Sequence, residues 1–405
     1  MKVDFESNMI IPSDLNYEVV ERKGLGHPDT LADGIAESIE IAYCKYCLKH
    51  FGVILHHNFD KLNIEGGLSV IKFGQKEFKA PIRIEFLGRA TLRYKNEQIP
   101  LKQIQVTATK KYLKAVLPNL NVNDEKELTF DYKTTNYGAR NYWFNPKSEK
   151  DLPEYTTDER KSNDTAAMVG YWPLTPLENL VKKTEEYFYK RKGHKLIPKY
   201  DFIGQDIKVM GIRSGKKVTL TVCIPQITSK IRSFEDYMIN EKNIKKELYK
   251  NIKQLTSMKI KLIINSSSND EDHRPYLTTT GSCIDFGEEG AVGRGNKVNG
   301  IIAAFRPNTM EAPHGKNSVY FVGKVLGYSA TQLAKKIYFE NHVPCQVIIE
   351  SNSGDNLFNP QKIIVMSKNN LDKEKVEKTI NSFFNKKEKI TSEIINSQFF
   401  VPNII

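Results

Sequence analysis

Long apolar runs are missing from this sequence of 405 residues. No stretch approaches the ~20 consecutive apolar residues of a membrane-spanning helix. The opening residues, MKVDFESNMIIPSDLN, lack the apolar centre of a secretion signal, so the expectation is a cytoplasmic protein with no membrane partner. Cysteine is scarce: Cys44, Cys47, Cys223, Cys283 and Cys345. An odd number without a secretion signal argues for free thiols. Cys44 and Cys47 form a C-x-x-C, but inside a helical run and with no second pair to complete a zinc site, so they read as helix packing. No Walker lysine motif occurs, and no clear strand–helix context supports a dinucleotide-binding glycine pattern. No Ser-His-Asp or Cys-His constellation is evident either.

What remains is an ordinary globular composition, 40% apolar and 27% charged, long enough for two or three domains. The formal net charge of +12 fits nucleic acid, an anionic small substrate, or a solvated surface. Basic stretches such as KKYLKAVL, KRKGHK and NKKEKI are scattered. They do not form the single stripe interleaved with aromatics that a nucleic-acid-binding protein, the rival class, would show.

Leu31, Ile35, Ile39, Ala42, Tyr43 and Tyr46 recur at three- and four-residue steps. This predicts a helix over 30 to about 49, with Thr30 and Asp33 as a capping box and Gly52 as its stop. Residues 52–59, 61–67 and the longer 80–94 read as strands, and 101–120 as a helix ended at Pro118. Residues 119–162 hold no period and read as a long irregular connection. A helix over 174–193 carries Thr175 as cap, Pro176 in its first turn, Glu178 completing the box and Gly193 at its end. Residues 206–224 read as a hairpin about Ser214-Gly215, 233–255 as a helix and 259–267 as a strand. Beyond a glycine-rich region (281–316) come a helix over about 317–341, strands 345–351 and 362–367, and a helix from about 371. Strands and helices alternate without a strict βαβ period, which gives an α+β class with repeated sheet–helix layers.

Four segments carry chemistry. In GLGHPDT, Gly24 and Gly26 allow close backbone approach in front of a helix N-terminus, which attracts phosphate. His27 adds a donor there, and Asp29 either caps the helix or holds a metal ion on the phosphate. In GSCIDFGEEGAVGRGNKVNG, glycines surround the pair Glu288-Glu289, and Arg294 offers a planar fork to phosphate oxygens. In RPNTMEAPHGKN, Lys316 follows Gly315 just before a helix. In KSNDTAAMVGYWPLTP, Asn163, Asp164 and Thr165 suit a nucleoside or an amino acid, while Tyr171 and Trp172 read as packing. Taken singly, each segment also reads as a solvated loop.

Taken in order, the blocks ERKGLGHPDTLADGIAE, ILHHNFDK, NDTAAMVGYWPL, GEEGAVGRGNKVNGII and RPNTMEAPHGKN resemble the archaeal-type S-adenosylmethionine synthetases (methionine adenosyltransferases), across roughly residues 17–325. The resemblance implies an ATP-dependent adenosyl transfer to L-methionine. It also implies Mg2+ and a monovalent cation such as K+, and a homodimer with active sites at its interface. It further implies three similar sheet–helix domains in a pseudo-threefold arrangement, interleaved in sequence: 21–145; 1–20 with 175–280; and 146–174 with 281–405. Carried over residue by residue, His27 stands near the breaking C5′–O bond, and Lys208, Arg294 and Lys316 contact the phosphates. Asp29 is a magnesium ligand and Asp60 lies at a monovalent-cation position. Gly138 takes a nucleotide-binding turn, and Asn163, Asp164, Thr165, Glu288 and Gly293 line the ATP and methionine sites. The chain departs from the family at Glu288-Glu289, where aspartates are usual, at Tyr320-Phe321, at the turn 138–142, and at the C-terminal SGDNLFNP. These departures admit a paralogue acting on a methionine analogue, or a regulatory homologue.

Overall fold

A computed structural model describes residues 1–139, 142–153, 160–189, 196–266, 274–397 and 399–400. Three mixed sheets backed by helices organise the chain. The first places strands Leu128–Tyr132, Ile82–Phe86, Asn63–Glu65 and Gly290–Ala291 side by side. The second runs Lys259–Ile264, Lys217–Cys223, Lys208–Ser214, Tyr17–Lys23 and Ile302–Ala303. The third runs Lys2–Glu6, Lys362–Ser367, Cys345–Ser351 and Ala166–Trp172. In these orders every sheet begins with a parallel pair and continues antiparallel, through two pairs in the first and third sheets and three in the second. The expected α+β class holds at this level. Strand Lys2–Glu6 joins the third sheet, while Tyr17–Lys23, which crosses the expected border at residue 20, joins the second.

Period-two burial gives each sheet a core face. Ile82, Ile84 and Phe86 are buried while Arg83 faces water. Helices Pro28–Phe51 and Leu101–Val116 pack together and the former lies on the first sheet. Pro176–Glu186 and Phe234–Leu255 serve the second sheet, and Val322–Asn341 the third. One apolar cluster runs continuously through the first two layers, and a second fills the third.

The hairpin Lys208–Ser214/Lys217–Cys223 and the Thr175/Glu178 capping box stand where the sequence predicts them. That helix ends at Glu186, short of the expected stop at Gly193; Gly193 itself lies outside the described residues, as do Arg140 and Asn141 of the turn 138–142. Three further expectations are corrected. Residues 52–59 form only the short strand His57–Asn58. Side chains satisfy the preceding backbone: His57 and Asn317 both bond the Leu55 carbonyl. Residues 119–162 contain the strand Leu128–Tyr132, which completes the first sheet. The helix expected from 317 begins at Val322. Before it, the Asn317 side chain accepts the Val319 N–H at 2.8 Å, a local bond that competes with helix.

Candidate active site

Pro28 presets the first turn of helix Pro28–Phe51 and lacks the N–H that this position would leave unbonded. The cap is His27, not Thr30: the Asp29 N–H donates to His27 Nδ1 at 3.2 Å. The Thr30 hydroxyl donates instead to the Lys23 carbonyl. An accepting Nδ1 places the imidazole proton on Nε2. Burial, then the charges of Lys23 and, less strongly, Lys208, push the His27 pKa down to about 4, with Asp29 opposing. His27 is therefore neutral at physiological pH and has one N–H left to give.

His27, Pro28 and Asp29 form one wall of a cavity of about 620 Å³. Asn63, Glu65 and Glu85 of the first sheet form another, and Cys283, Glu288–Ala291 and Arg294 of the glycine-rich segment close it. That segment lies flat on the helix. A β-carbon on Gly290 would overlap the Pro28 carbonyl, and one on Gly295 the Asp33 carboxylate. Lys23 Nζ donates to Asp29 Oδ2 at 2.8 Å and to the Arg294 carbonyl at 2.7 Å. The Ala291 N–H donates to Asp29 Oδ1 at 3.2 Å, and Arg294 Nε stands 3.7 Å from the same oxygen. The Arg294 side chain is otherwise open to solvent. Lys208 pairs in register with Lys23 on the adjacent strand and sits 3.2 Å from Glu21. His27, Asp29, Glu288 and Arg294 thus meet around one opening, and Lys208, outside its lining, is near enough for its charge to act on His27.

The cavity is rimmed by Asp29, Glu65, Glu85, Glu288 and Glu289, with Arg294 as the guanidinium among them. A bare polyphosphate would be repelled by these carboxylates. Hard oxygen donors in that number suit a divalent cation of the magnesium type, and Asp29 with Glu288 and Glu289 fit the role.

Other expected site residues lie elsewhere in this chain. Gly293 donates its N–H to Asp33 Oδ1 at 2.8 Å and borders a narrower crevice beside Val169 and Tyr171. Lys316 is buried, ion-paired with Glu311 and 3.8 Å from Asp60 Oδ2. The Lys316 ammonium already gives Asp60 a cation, yet Asp60 Oδ1 and neighbouring Asn58 Oδ1 are buried without a hydrogen-bond partner. Oxygens of this kind fit a further cation or a ligand donor. Asn163 caps helix Val322–Asn341 by accepting the Val322 N–H at 2.9 Å. Asp164 is exposed and accepts the Thr165 N–H, and Thr165 in turn accepts the Ser353 N–H. Gly138 lies half-exposed beyond the Arg89–Thr135 bridge. Tyr320 is buried with its hydroxyl 2.9 Å from His56 Nδ1, so this departure sits in packing rather than on the His27 cavity.

The sequence reading missed a line of carboxylates along the same helix. Asp29, Asp33, Glu37 and Glu40 lie three or four residues apart, hence on one face. They accept backbone N–H groups from Ala291, Gly293, Gly315 and Ser318 respectively, at 2.8–3.2 Å. His314 Nδ1 stands 3.2 Å from Asp33, and buried Lys324 bonds both Glu37 oxygens at 2.8 and 2.7 Å and lies 3.2 Å from Glu40. Burial works against a charge on His314, but Asp33 and Glu37 carry its pKa above the ordinary value. The spacing of these acids is plain in DTLADGIAESIE; their partners, being backbone groups of a distant loop, have no sequence signature. Glu40, Cys44 and His57 bring three ligand-type atoms within 4.8 Å. Burial and then Glu40 hold the Cys44 thiol well above its usual range, and its Sγ–H donates to Glu40. His57 Nε2 stands 3.3 Å from Glu40 Oε1 and 3.8 Å from Cys44 Sγ. Among the described residues no helix is long and apolar enough to cross a membrane.

An α+β fold thus sets a histidine, an acid-rimmed cavity and a glycine-rich loop on one helix N-terminus. The family described as S-adenosylmethionine synthetase (AdoMet synthetase) matches residues 4–398, and this chain belongs to it. It is thus an enzyme of the methionine adenosyltransferase class. An S-adenosylmethionine synthase of Methanoregula boonei is 38% identical over 332 residues, 81% of this chain and 79% of that protein. One of Pyrococcus furiosus is 37% identical over 322 residues, 79% and 77%. An uncharacterized protein of Streptococcus pyogenes serotype M3 is 48% identical over 393 residues, 96% of each.

Proposed function

We propose that the protein makes S-adenosylmethionine from ATP and L-methionine. The methionine sulfur attacks C5′ of ATP, the C5′–O bond breaks, and triphosphate departs. Water then cleaves the triphosphate to diphosphate and phosphate. The observation that carries this reading is that His27, on the wall of the acid-rimmed cavity, accepts the Asp29 N–H at Nδ1 and so keeps Nε2 for a donated hydrogen bond. A thioether nucleophile has no proton to lose, so the transfer step calls for a donor to the departing oxygen and no base. Arg294 and Lys208 would hold phosphate oxygens, and Lys316 would contribute a third cation. Asp29, Glu288 and Glu289 would hold magnesium, which when bound neutralises the polyphosphate and lowers the barrier to its departure; Asp60 would take the monovalent ion.

Incubation with ATP, methionine and magnesium should yield S-adenosylmethionine, diphosphate and phosphate. ADP or AMP as the main nucleotide product would refute adenosyl transfer. The Glu288-Glu289 departure, at the cavity itself, favours testing methionine analogues in the same assay. A higher kcat/KM for an analogue would assign the paralogue reading.

We also infer a homodimer, with three sheet–helix units in pseudo-threefold array: 21–145, 1–20 with 175–280, and 146–174 with 281–405, the borders adjusted so that strand Lys2–Glu6 goes with the last unit and Tyr17–Lys23 with the second. The shared strand polarity supports the units. Two features support the dimer. Asn163–Thr165 and the Lys316–Asp60 pair stand apart from the His27 cavity within one chain. Val19, Met210 and Ile212 form an open apolar patch on the second sheet, beside Lys208 and Lys23. A second chain on that patch would border the cavity. Sedimentation velocity should show a dimer; a fully active monodisperse monomer would overturn it.

A further inference from the structure

We propose that Glu37 is a positioning residue, acting through Gly315 on Lys316; the proposal rests on the adenosyltransferase reading above. Glu37 is wholly buried. Its carboxylate joins three elements. It belongs to helix Pro28–Phe51, it accepts the Gly315 N–H at 3.0 Å, and it holds Lys324 of helix Val322–Asn341 at 2.7 Å. Gly315 immediately precedes Lys316, and its carbonyl accepts the Phe59 N–H at 2.8 Å, one residue before Asp60. The peptide that carries Lys316 is therefore clamped on both sides, by Glu37 and by the strand leading to Asp60. The same helix face fixes the glycine-rich loop through Asp29 and Asp33. One rigid helix thus seats both the loop that carries Arg294 and the peptide that carries Lys316.

Two substitutions separate positioning from plain stability. Both leave Lys324 its second partner, Glu40, at 3.2 Å. Glu37→Gln keeps an oxygen for the Gly315 N–H; Glu37→Leu has similar bulk and no acceptor. With the full-length protein, tripolyphosphate cleavage and ATP kinetics are measured for both, for Lys316→Ala, and for Glu37→Leu/Lys316→Ala, alongside melting curves. Glu37→Leu should lower kcat/KM for tripolyphosphate by about 10²-fold, as a misplacement of roughly 1 Å does. Glu37→Gln should recover at least about tenfold of that loss, the share that an outer partner of a functional group commonly carries. The double variant should be no worse than Lys316→Ala alone, since a residue that works through another adds nothing once that one is gone. Additive losses in the double variant, or equal losses in Gln and Leu, would overturn the positioning role while the enzymatic reading stands. A Lys316→Ala variant with unchanged cleavage would overturn the placement of Lys316 and the proposal with it. If Glu37→Leu does not fold, the Gln variant still decides, because a loss in it equal to that of Lys316→Ala, at an unchanged melting temperature, contradicts a role carried by the acceptor oxygen.

Discussion

Replacing His27 by alanine should slow adenosyl transfer by about 10²–10³-fold, the usual cost of losing one preorganised donor to a developing anion. Cleavage of added tripolyphosphate should stay within a few-fold of the parent, because that step starts after the C5′–O bond is gone. The expectation follows from the capping geometry. The Asp29 N–H occupies Nδ1, so the only hydrogen the ring can offer is on Nε2. Because burial and the nearby lysines hold the ring's pKa at about 4, His27 stays neutral as pH falls from 8 to 5. Any acid limb of the transfer rate in that range must come from another group, and His27→Ala should not move it. Rapid-quench measurement of S-adenosylmethionine formation, beside phosphate release from tripolyphosphate, separates the two steps. Equal loss of both in a folded variant would make His27 a support for the loop and nothing more.

Asp29→Asn should impair both steps, by about 10²-fold or more each, since both act on a polyphosphate that needs metal in an acid-rimmed cavity. The same change frees Lys23 from its 2.8 Å partner and removes the charge facing Arg294. Binding of ATP without metal should therefore tighten or hold, while its dependence on magnesium shifts to higher concentration. Titration calorimetry with and without magnesium reads this directly. Unchanged magnesium dependence would remove Asp29 from the ligand set.

How far the sequence foretold this arrangement depends on the range of the interaction involved. The Thr175/Glu178 box and the 208–223 hairpin are local signals, and both appear. The helix start shifted from Thr30 to His27 because a histidine cap is uncommon, and Pro28 was the better clue. Strand Leu128–Tyr132 is half-buried at the edge of its sheet and set among turn residues, so its alternation was faint. At the site, His27, Asp29, Glu288 and Arg294 were legible from ordered motifs and line one cavity, while Lys208 was named from a fainter match and stands outside that lining. Lys23 was read past, although it is the cation bonded to Asp29. Asp33, Glu37 and Glu40 hide inside a helix whose apolar period explains itself without them. Their purpose shows only when a loop some 260 residues later lies down on them.

The third sheet carries a consequence for synthesis. Lys2 pairs with Lys362, so strand Lys2–Glu6 is completed only by a strand made far later in the chain. At the ordinary pace of translation it waits roughly 20–70 s for its neighbour. Until then the edge of that strand is unpaired, while the segments between can already close the first two sheets. Assembly is thus ordered in time: strand Lys2–Glu6 begins as a loose end and finishes as the clasp that locks the last layer.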